Sequence, residues 1–266
     1  MISVAFRTPR TPEWRKWRLA CDAALAALKT QKGPPYVINE SLYKQIRKWL
    51  LDAYAEKCAY CEGELNAQSA ALVEHFRPKS GVRDLDNSCI KVGKNHKHTG
   101  YWWLAYEPSN LLPACSMCNV YTRKRGGKGE RFPLPKGGFR ATKPGEEKKE
   151  KPLLIHPGRE DPSVYFDLEF ETGALKARDE RGRISIAVLG LNREQLLKAR
   201  KKAARDATVY MWLCENRSAA KAYRERVDNQ IAGLEPYSLV WRKVKEEMSS
   251  KPRPRSMRRT GLSRTK

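Results

Sequence analysis

The sequence predicts an α+β fold in which a strand-bearing central unit lies between helical segments. Three observations predict it. Apolar residues recur at helical spacing toward both ends of the chain, over 12–56 and again over 192–248. Short β-prone runs broken by turn residues fill 153–191. Between them, 58–134 is dense in Cys, His, Asn and aromatic side chains and contains two CxxC pairs. At 266 residues, 40% hydrophobic, the chain can bury a sizeable core.

Taken in order, residues 12–30 predict a helix with Trp14, Trp17, Cys21, Ala24 and Leu28 near one face. Gly33-Pro34-Pro35 ends it. A second helix is expected from about Asn39 to Glu56, with Leu42, Ile46, Leu50 and Tyr54 as its apolar stripe and Asn39 or Ser41 as its cap. Ala70 to Val73 read as a short strand ending at Glu74-His75. The polar, Gly-rich stretch 81–100 reads as an inserted loop, and Asn119 as the start of a helix (NVYTRKRG). Residues 123–152, basic and rich in Gly and Pro, read as a loop or mobile linker. Strands are expected at LLIHP, at VYFDLEFE and, after a hairpin at Arg181-Gly182, at ISIAVLGL. Asn192 opens a further helical run to about Ala232, and a shorter helix follows Pro236. The regions are therefore an N-terminal helical segment (1–56), the central unit (57–134), a basic linker (135–152), a strand-plus-helix segment (153–248) and a basic tail expected to be disordered (249–266).

Charge speaks to partners. There are 53 Lys and Arg against 30 Asp and Glu, a net charge of +23. So basic a surface attracts polyanions, and nucleic acid is the commonest of these. No stretch is apolar enough to cross a membrane, and the basic start of the chain lacks the apolar core of a secretory signal, so a cytoplasmic location is expected.

In a reducing compartment, paired cysteines indicate metal rather than disulfides. Cys58-Ala-Tyr-Cys61 and Cys115-Ser-Met-Cys118 each place two thiolates on one tight turn, and together they complete a tetrahedral structural zinc site. Buried free cysteines or a redox pair are the alternatives. Cys21, Cys89 and Cys214 are isolated. Cys89 with His96 and His98 is a weak candidate for a second metal site.

Inside the clamped segment come Glu74-His75, then Asn110, then Asn119 directly after the second knuckle. Phosphodiester hydrolysis needs a base to activate water and a divalent ion to stabilise charge on phosphorus and on the leaving oxygen. A neutral His75 suits the first task. Glu74 and Asn119 offer hard oxygen ligands for Mg²⁺ or Mn²⁺. Asn110 could orient the His75 ring or tie down the loop between the strands.

These residues, in this order, resemble the HNH (ββα-metal) endonuclease superfamily in its zinc-stabilised form. The resemblance implies a nuclease module over 57–134, with His75 as general base, Glu74 and Asn119 holding the catalytic ion and Asn110 as the orienting residue. Glu74 stands where Asp is commoner, and Asn119 where His is commoner. CAYCEGEL, VEHFRPKS, YWWLAYEPSNLLPACSMCN and ERFPL, with the later LLIHPGREDPSVYF and RGRISIAVLGLNREQLLKAR, resemble the branch that serves bacterial anti-phage systems, the PtuB-type nucleases of Septu and of some retrons. That resemblance implies cleavage of nucleic acid, DNA favoured, and a PtuA-like ABC-type ATPase partner docking on 12–56 or 192–248. Arg77, Lys79, Arg123, Lys124, Arg125, Lys128 and Arg131, with Lys136 and Arg140 in the following loop, are the expected phosphate contacts. Tyr101, Trp102, Trp103 and Tyr106 are expected in the core rather than stacked on bases. A zinc-stabilised adaptor without catalysis, or a toxin using the same site on RNA, are the other readings.

Overall fold

The computed structural model describes residues 1, 4, 6–65, 71–93, 96–215 and 221–250. Ala70 of the expected strand lead-in, and the expected tail beyond Ser250, lie outside the described residues. Helix α1 (Pro12–Thr30) starts where the Thr11 side chain accepts a hydrogen bond from the Trp14 amide and Pro12 needs no donor. It buries Trp14, Trp17, Cys21 and Leu28. Trp14 meets Trp49 edge-on at 5.0 Å, and the Trp17 indole donates to the Leu42 carbonyl. The expected second helix is broken into α2 (Glu40–Lys44), capped by Asn39, and α3 (Arg47–Ala53). Left-handed Ala55 and Glu56 then turn the chain into the first knuckle.

The central unit is small. Strand β1 (Leu72–His75) pairs antiparallel with β4 (Leu111–Ala114), setting Glu74 opposite Leu112 and His75 opposite Leu111. The excursion between them carries a minimal hairpin, β2 (Lys91–Val92) and β3 (His96–Lys97), and two 3-10 turns. One turn of helix, α4 (Ser116–Asn119), follows β4 and packs on β1. Asn119 therefore ends this helix instead of opening one. The chain beyond it folds back, with the Lys128 amide donating to the Cys118 carbonyl and that of Gly129 to Asn119. Only glycine fits at 127: φ is +91°, and a Cβ would lie 2.1 Å from the Val120 carbonyl oxygen.

The stretch 135–152 is irregular but docked. Glu150 is buried, pairs with Arg77 at 2.9 Å and accepts from the Tyr101 hydroxyl, so a mobile linker is corrected to a packed one.

Strands β5 (Phe166–Glu169) and β6 (Ala174–Ala177) form a hairpin, but its turn lies at 170–173 and not at Arg181-Gly182 as expected. LLIHP is buried but makes no strand, and ISIAVLGL lies in a helix, α5 (Glu180–Leu189). Its β-branched residues suggested a strand. The ends decide otherwise: Asp179 accepts from the Gly182 amide as N-cap, and Gly190 closes the helix in the left-handed region. Arg181, expected in a turn, is helical and pairs with Glu160. Asn192 does not cap the next helix; its amide exchanges two hydrogen bonds with the Leu175 backbone of β6. Helices α6 (Glu194–Glu215), α7 (Lys221–Ala232) and α8 (Ser238–Ser250) pack together, and α8 also meets β5. One hydrophobic cluster runs from α1 to α8. Tyr101, Trp102, Trp103 and Tyr106 belong to it. Among the described residues no helix is long and apolar enough to cross a membrane.

Candidate active site and metal centre

The four knuckle cysteines converge. Their sulfurs all lie within 4.8 Å of one another, and Cys61 and Cys115 are 3.8 Å apart. A tetrahedron with zinc–sulfur bonds of about 2.3 Å has edges of about 3.8 Å. The donor set and its size therefore fit zinc. Two short hydrogen bonds shape the first knuckle, Cys58 amide to Gly63 carbonyl and Glu62 amide to Cys58 carbonyl, each 2.9 Å. Cys58, Cys61 and Cys118 are buried and Cys115 half-buried. Hydrogen bonds from Cys115, Cys118 and Cys58 hold Cys61 well below the usual thiol range.

Sequence reasoning missed Arg193. Its guanidinium reaches back from the start of α6 to Cys118 Sγ at 3.5 Å and Cys115 Sγ at 3.8 Å. Burial opposes its charge, but the surrounding thiols outweigh that and raise it further. Arg200, one helical face along, is also buried near Cys61. No local pattern distinguishes these two from the other arginines of a basic helix. Among the described residues the cysteines are the one cluster of three or more His, Cys, Asp or Glu side chains placed to share an ion. His98 spends both ring nitrogens on the Ala141 carbonyl and the Gly100 amide, which argues against a second site with Cys89.

Glu74 and His75 sit at the end of β1, and both are nearly inaccessible, at 4% and 6% exposed. His75 Nε2 lies 3.0 Å from the Ala105 carbonyl. A carbonyl can only accept, so Nε2 carries the proton and Nδ1 keeps its lone pair. Burial, then the nearby Lys79 and Lys128, pushes His75 down to about 3. The Tyr43 ring packs edge-on against the imidazole at 4.7 Å.

Glu74 Oε1 is 2.7 Å from Lys128 Nζ but off the hydrogen-bonding direction, so this buried oxygen has no hydrogen-bond partner. Burial raises Glu74 while Lys128 opposes the rise. The Lys128 ammonium donates instead to the carbonyls of His75 and Gly129. Asn110 is buried. Its amide oxygen accepts from the Arg77 amide, and its nitrogen donates to the carbonyls of Arg77 and Leu104. It thus braces the backbone beyond β1 against the loop before β4 and does not touch the His75 ring. Asn119 is half-buried at the end of α4, and its side chain makes no hydrogen bond among the described residues.

The expected phosphate contacts divide. Arg77, Lys128 and Arg131 are buried and engaged within the protein, which corrects their assignment to a nucleic-acid surface. Arg77 pairs with Glu150. Arg131 donates to the carbonyls of Gly127 and Val188 and lies over the Tyr121 ring. Lys79 is half-buried, 3.5 Å from Glu40. Arg123, Lys124 and Arg125 are exposed on the turn after α4.

A strand pair, one helical turn and four convergent cysteines able to hold zinc define a small unit with an acid–histidine pair at its strand end. Sequence comparison adds particular relatives. The chain is 34% identical over 165 residues to the Septu protein PtuB of Bacillus mycoides (strain KBAB4), a match covering 61% of this chain and 52% of that protein. It is 31% identical over 157 residues to the Septu protein PtuA of the same organism, covering 58% of this chain and 20% of that protein. The chain thus spans about half the length of the first relative and a fifth of the second. No protein-family model matches it.

Proposed function

We propose that the chain is a metal-dependent HNH-type nuclease of a Septu-like anti-phage system, cutting phosphodiester bonds in nucleic acid, with DNA the favoured substrate. The observation that carries this reading is the β1–β4–α4 unit closed by the cysteine cluster, with a His75 tautomer that leaves Nδ1 free. His75 Nδ1 takes the proton of the attacking water, and the Ala105 carbonyl accepts from Nε2–H and steadies the imidazolium that forms. Glu74 and Asn119 would hold the divalent ion, and Glu74 Oε1, ion-paired with Lys128 but accepting no hydrogen bond, has a lone pair to offer it. When bound, that ion supplies charge stabilisation at the phosphate and leaving oxygen. Arg123, Lys124 and Arg125 hold backbone phosphates without reading sequence. The match to a short stretch of the longer PtuA supports an arrangement in which this module works beside a PtuA-like ATPase, in a Septu or retron assembly.

The test is a nicking assay on supercoiled plasmid and single-stranded RNA. Zinc-loaded wild type and His75→Ala are compared with and without Mg²⁺ or Mn²⁺, alone and with a PtuA-like partner. Metal-dependent cutting that His75→Ala abolishes is expected. Cutting that survives in His75→Ala would refute the assignment of the base. One observation favours a second reading, a non-catalytic nucleic-acid adaptor: His75 and Glu74 are shut away from solvent in this conformation. Equal nucleic-acid binding by both proteins, with no cleavage in any arm, would select it.

A further inference from the structure

A cavity of about 550 Å³ opens beside the candidate centre, and its walls have a consistent chemistry. Pro34, Pro35 and Tyr36 form one side, and Lys79, His96 and Lys97 supply its basic groups. No acidic residue lines it. Glu40 reaches Lys79 from outside at 3.5 Å and is itself mostly exposed, a weak surface pair that a phosphate can replace. Tyr36 is stacked on Trp102, with ring centres 4.4 Å apart and planes 22° from parallel. Trp102 is core, so it fixes the tyrosine from behind, and Tyr36 is half-buried at the cavity wall. A rigid aromatic beside two ammonium groups takes one base and its flanking phosphates. The size suits a small ligand of nucleotide scale. The groove lies next to the centre, with one buried ring between them: the Lys79 ammonium is 5.3 Å from the Tyr43 ring centre, and that ring is the one packed on His75.

We propose that this groove binds single-stranded nucleic acid, stacking an unpaired base on Tyr36 and holding its phosphates with Lys79 and Lys97, so that the strand is led toward His75. The inference rests on the nuclease reading only for the direction of the strand; binding itself is independent of cleavage. A base within a duplex is already stacked on both faces, so the groove selects unpaired strands.

The test is equilibrium binding of the zinc-loaded full chain to fluorescent dT and U 12-mers and to a 12-base-pair duplex, with no Mg²⁺ or Mn²⁺ added. Wild type should bind single strands more tightly than duplex, and comparison of dT with U separates DNA from RNA. Tyr36→Ala should weaken binding about tenfold while Tyr36→Trp retains it. Lys97→Glu should weaken it comparably and flatten the log–log salt slope by about 0.7 for the lost phosphate contact. Lys202→Glu, an equal change of charge on an exposed face of α6, should stay within twofold of wild type. Lys97 is exposed, so its variant keeps the test decisive if Tyr36→Ala proves unstable. Tighter binding of duplex, or groove variants within twofold of wild type, would overturn the proposal. Groove-dependent binding together with no cleavage in any arm of the nicking assay would instead sink the nuclease reading and leave the groove standing.

Discussion

Replacing Lys128 by Met tests the electrostatics of the centre directly. The ammonium is fully buried, 2.7 Å from Glu74 Oε1 and hydrogen-bonded to the His75 carbonyl at 2.8 Å. Methionine matches its length and removes the charge. Breaking a buried pair from one side costs about 3–5 kcal/mol, because the other charge is left uncompensated. In a chain of this size that lowers the melting temperature by roughly 6–20 °C, at about 2–4 °C per kcal/mol. Glu74 gives the effect a pH signature. Burial already raises its folded pKa, and loss of Lys128 raises it further. A carboxyl whose folded pKa lies above its unfolded value binds more protons folded, so its penalty is absent below the unfolded pKa of about 4.3 and grows as pH rises toward the folded value. The gap between variant and wild type should therefore be larger at pH 8 than at pH 5, and Lys128→Met/Glu74→Gln should recover much of it. Differential scanning fluorimetry of zinc-loaded protein at both pH values reads this out. A Lys128→Met melting temperature within 2 °C of wild type at pH 8 would refute the pairing.

Cys58→Ala or Cys115→Ala should lose zinc and unfold the central unit, since a structural ion supplies folding free energy; a variant that kept both its zinc and its melting temperature would show that the ligands are wrongly assigned. Arg193→Ala should keep the fold but weaken zinc retention about 10–100-fold in a chelator competition, the usual effect of removing an outer partner of a metal ligand. Retention equal to wild type would mean that Arg193 only packs. With His75 held down to about 3 by burial, its protonation should remove no cleavage between pH 8 and pH 5; an acid limb near pH 6.5 that tracks His75 would mean that the ring is solvated in the active form. The same depressed pKa costs stability as pH falls from about 6.5 toward 3, where the unfolded ring binds a proton that the folded one refuses.

What the sequence disclosed was local. Two thiols on a CxxC turn must lie close, so each knuckle follows from spacing, and the shared chemistry of two such knuckles pointed to their meeting. The Trp14–Leu28 stripe and the Asn39 cap follow from periodicity and short-range hydrogen bonding. The errors concern distant partners. Lys128 looks like any lysine of a basic loop until the fold brings Glu74, 54 positions earlier, to its ammonium. Arg77 needs Glu150, and Arg131 needs the carbonyl of Val188, before either reads as a buried structural cation. The α5 segment failed for another reason: Ile184, Ile186 and Val188 suit either structure, and the choice was made by the caps at its ends. Tyr36 and Lys97 carried no signal, because a groove between loops has no periodicity.

The cysteine cluster also explains why the C-terminal helices belong to the same unit as the strand pair. A zinc ion with four thiolates carries a net charge of −2, and buried in an apolar core that charge needs compensation. Arg193 and Arg200, both contributed by the α6 region, bring two positive charges to it. The first knuckle is held from the same side: the Lys57 ammonium donates to the carbonyls of Gly233 and Glu235, and Glu62 accepts from the Leu239 amide. Each of these contacts joins a residue at or beside a knuckle to the segment 193–239. A +23 chain has cations to spare on its surface, but Lys57 and Arg200 are buried and Arg193 half-buried, and burial of a charge is tolerated only opposite a partner. The cysteine cluster therefore touches more than the two strands beside it. The α6 region and the α7–α8 turn meet the knuckles through Arg193, Lys57 and Glu62, and a zinc tetrathiolate formed there would carry the negative charge that the two arginines offset.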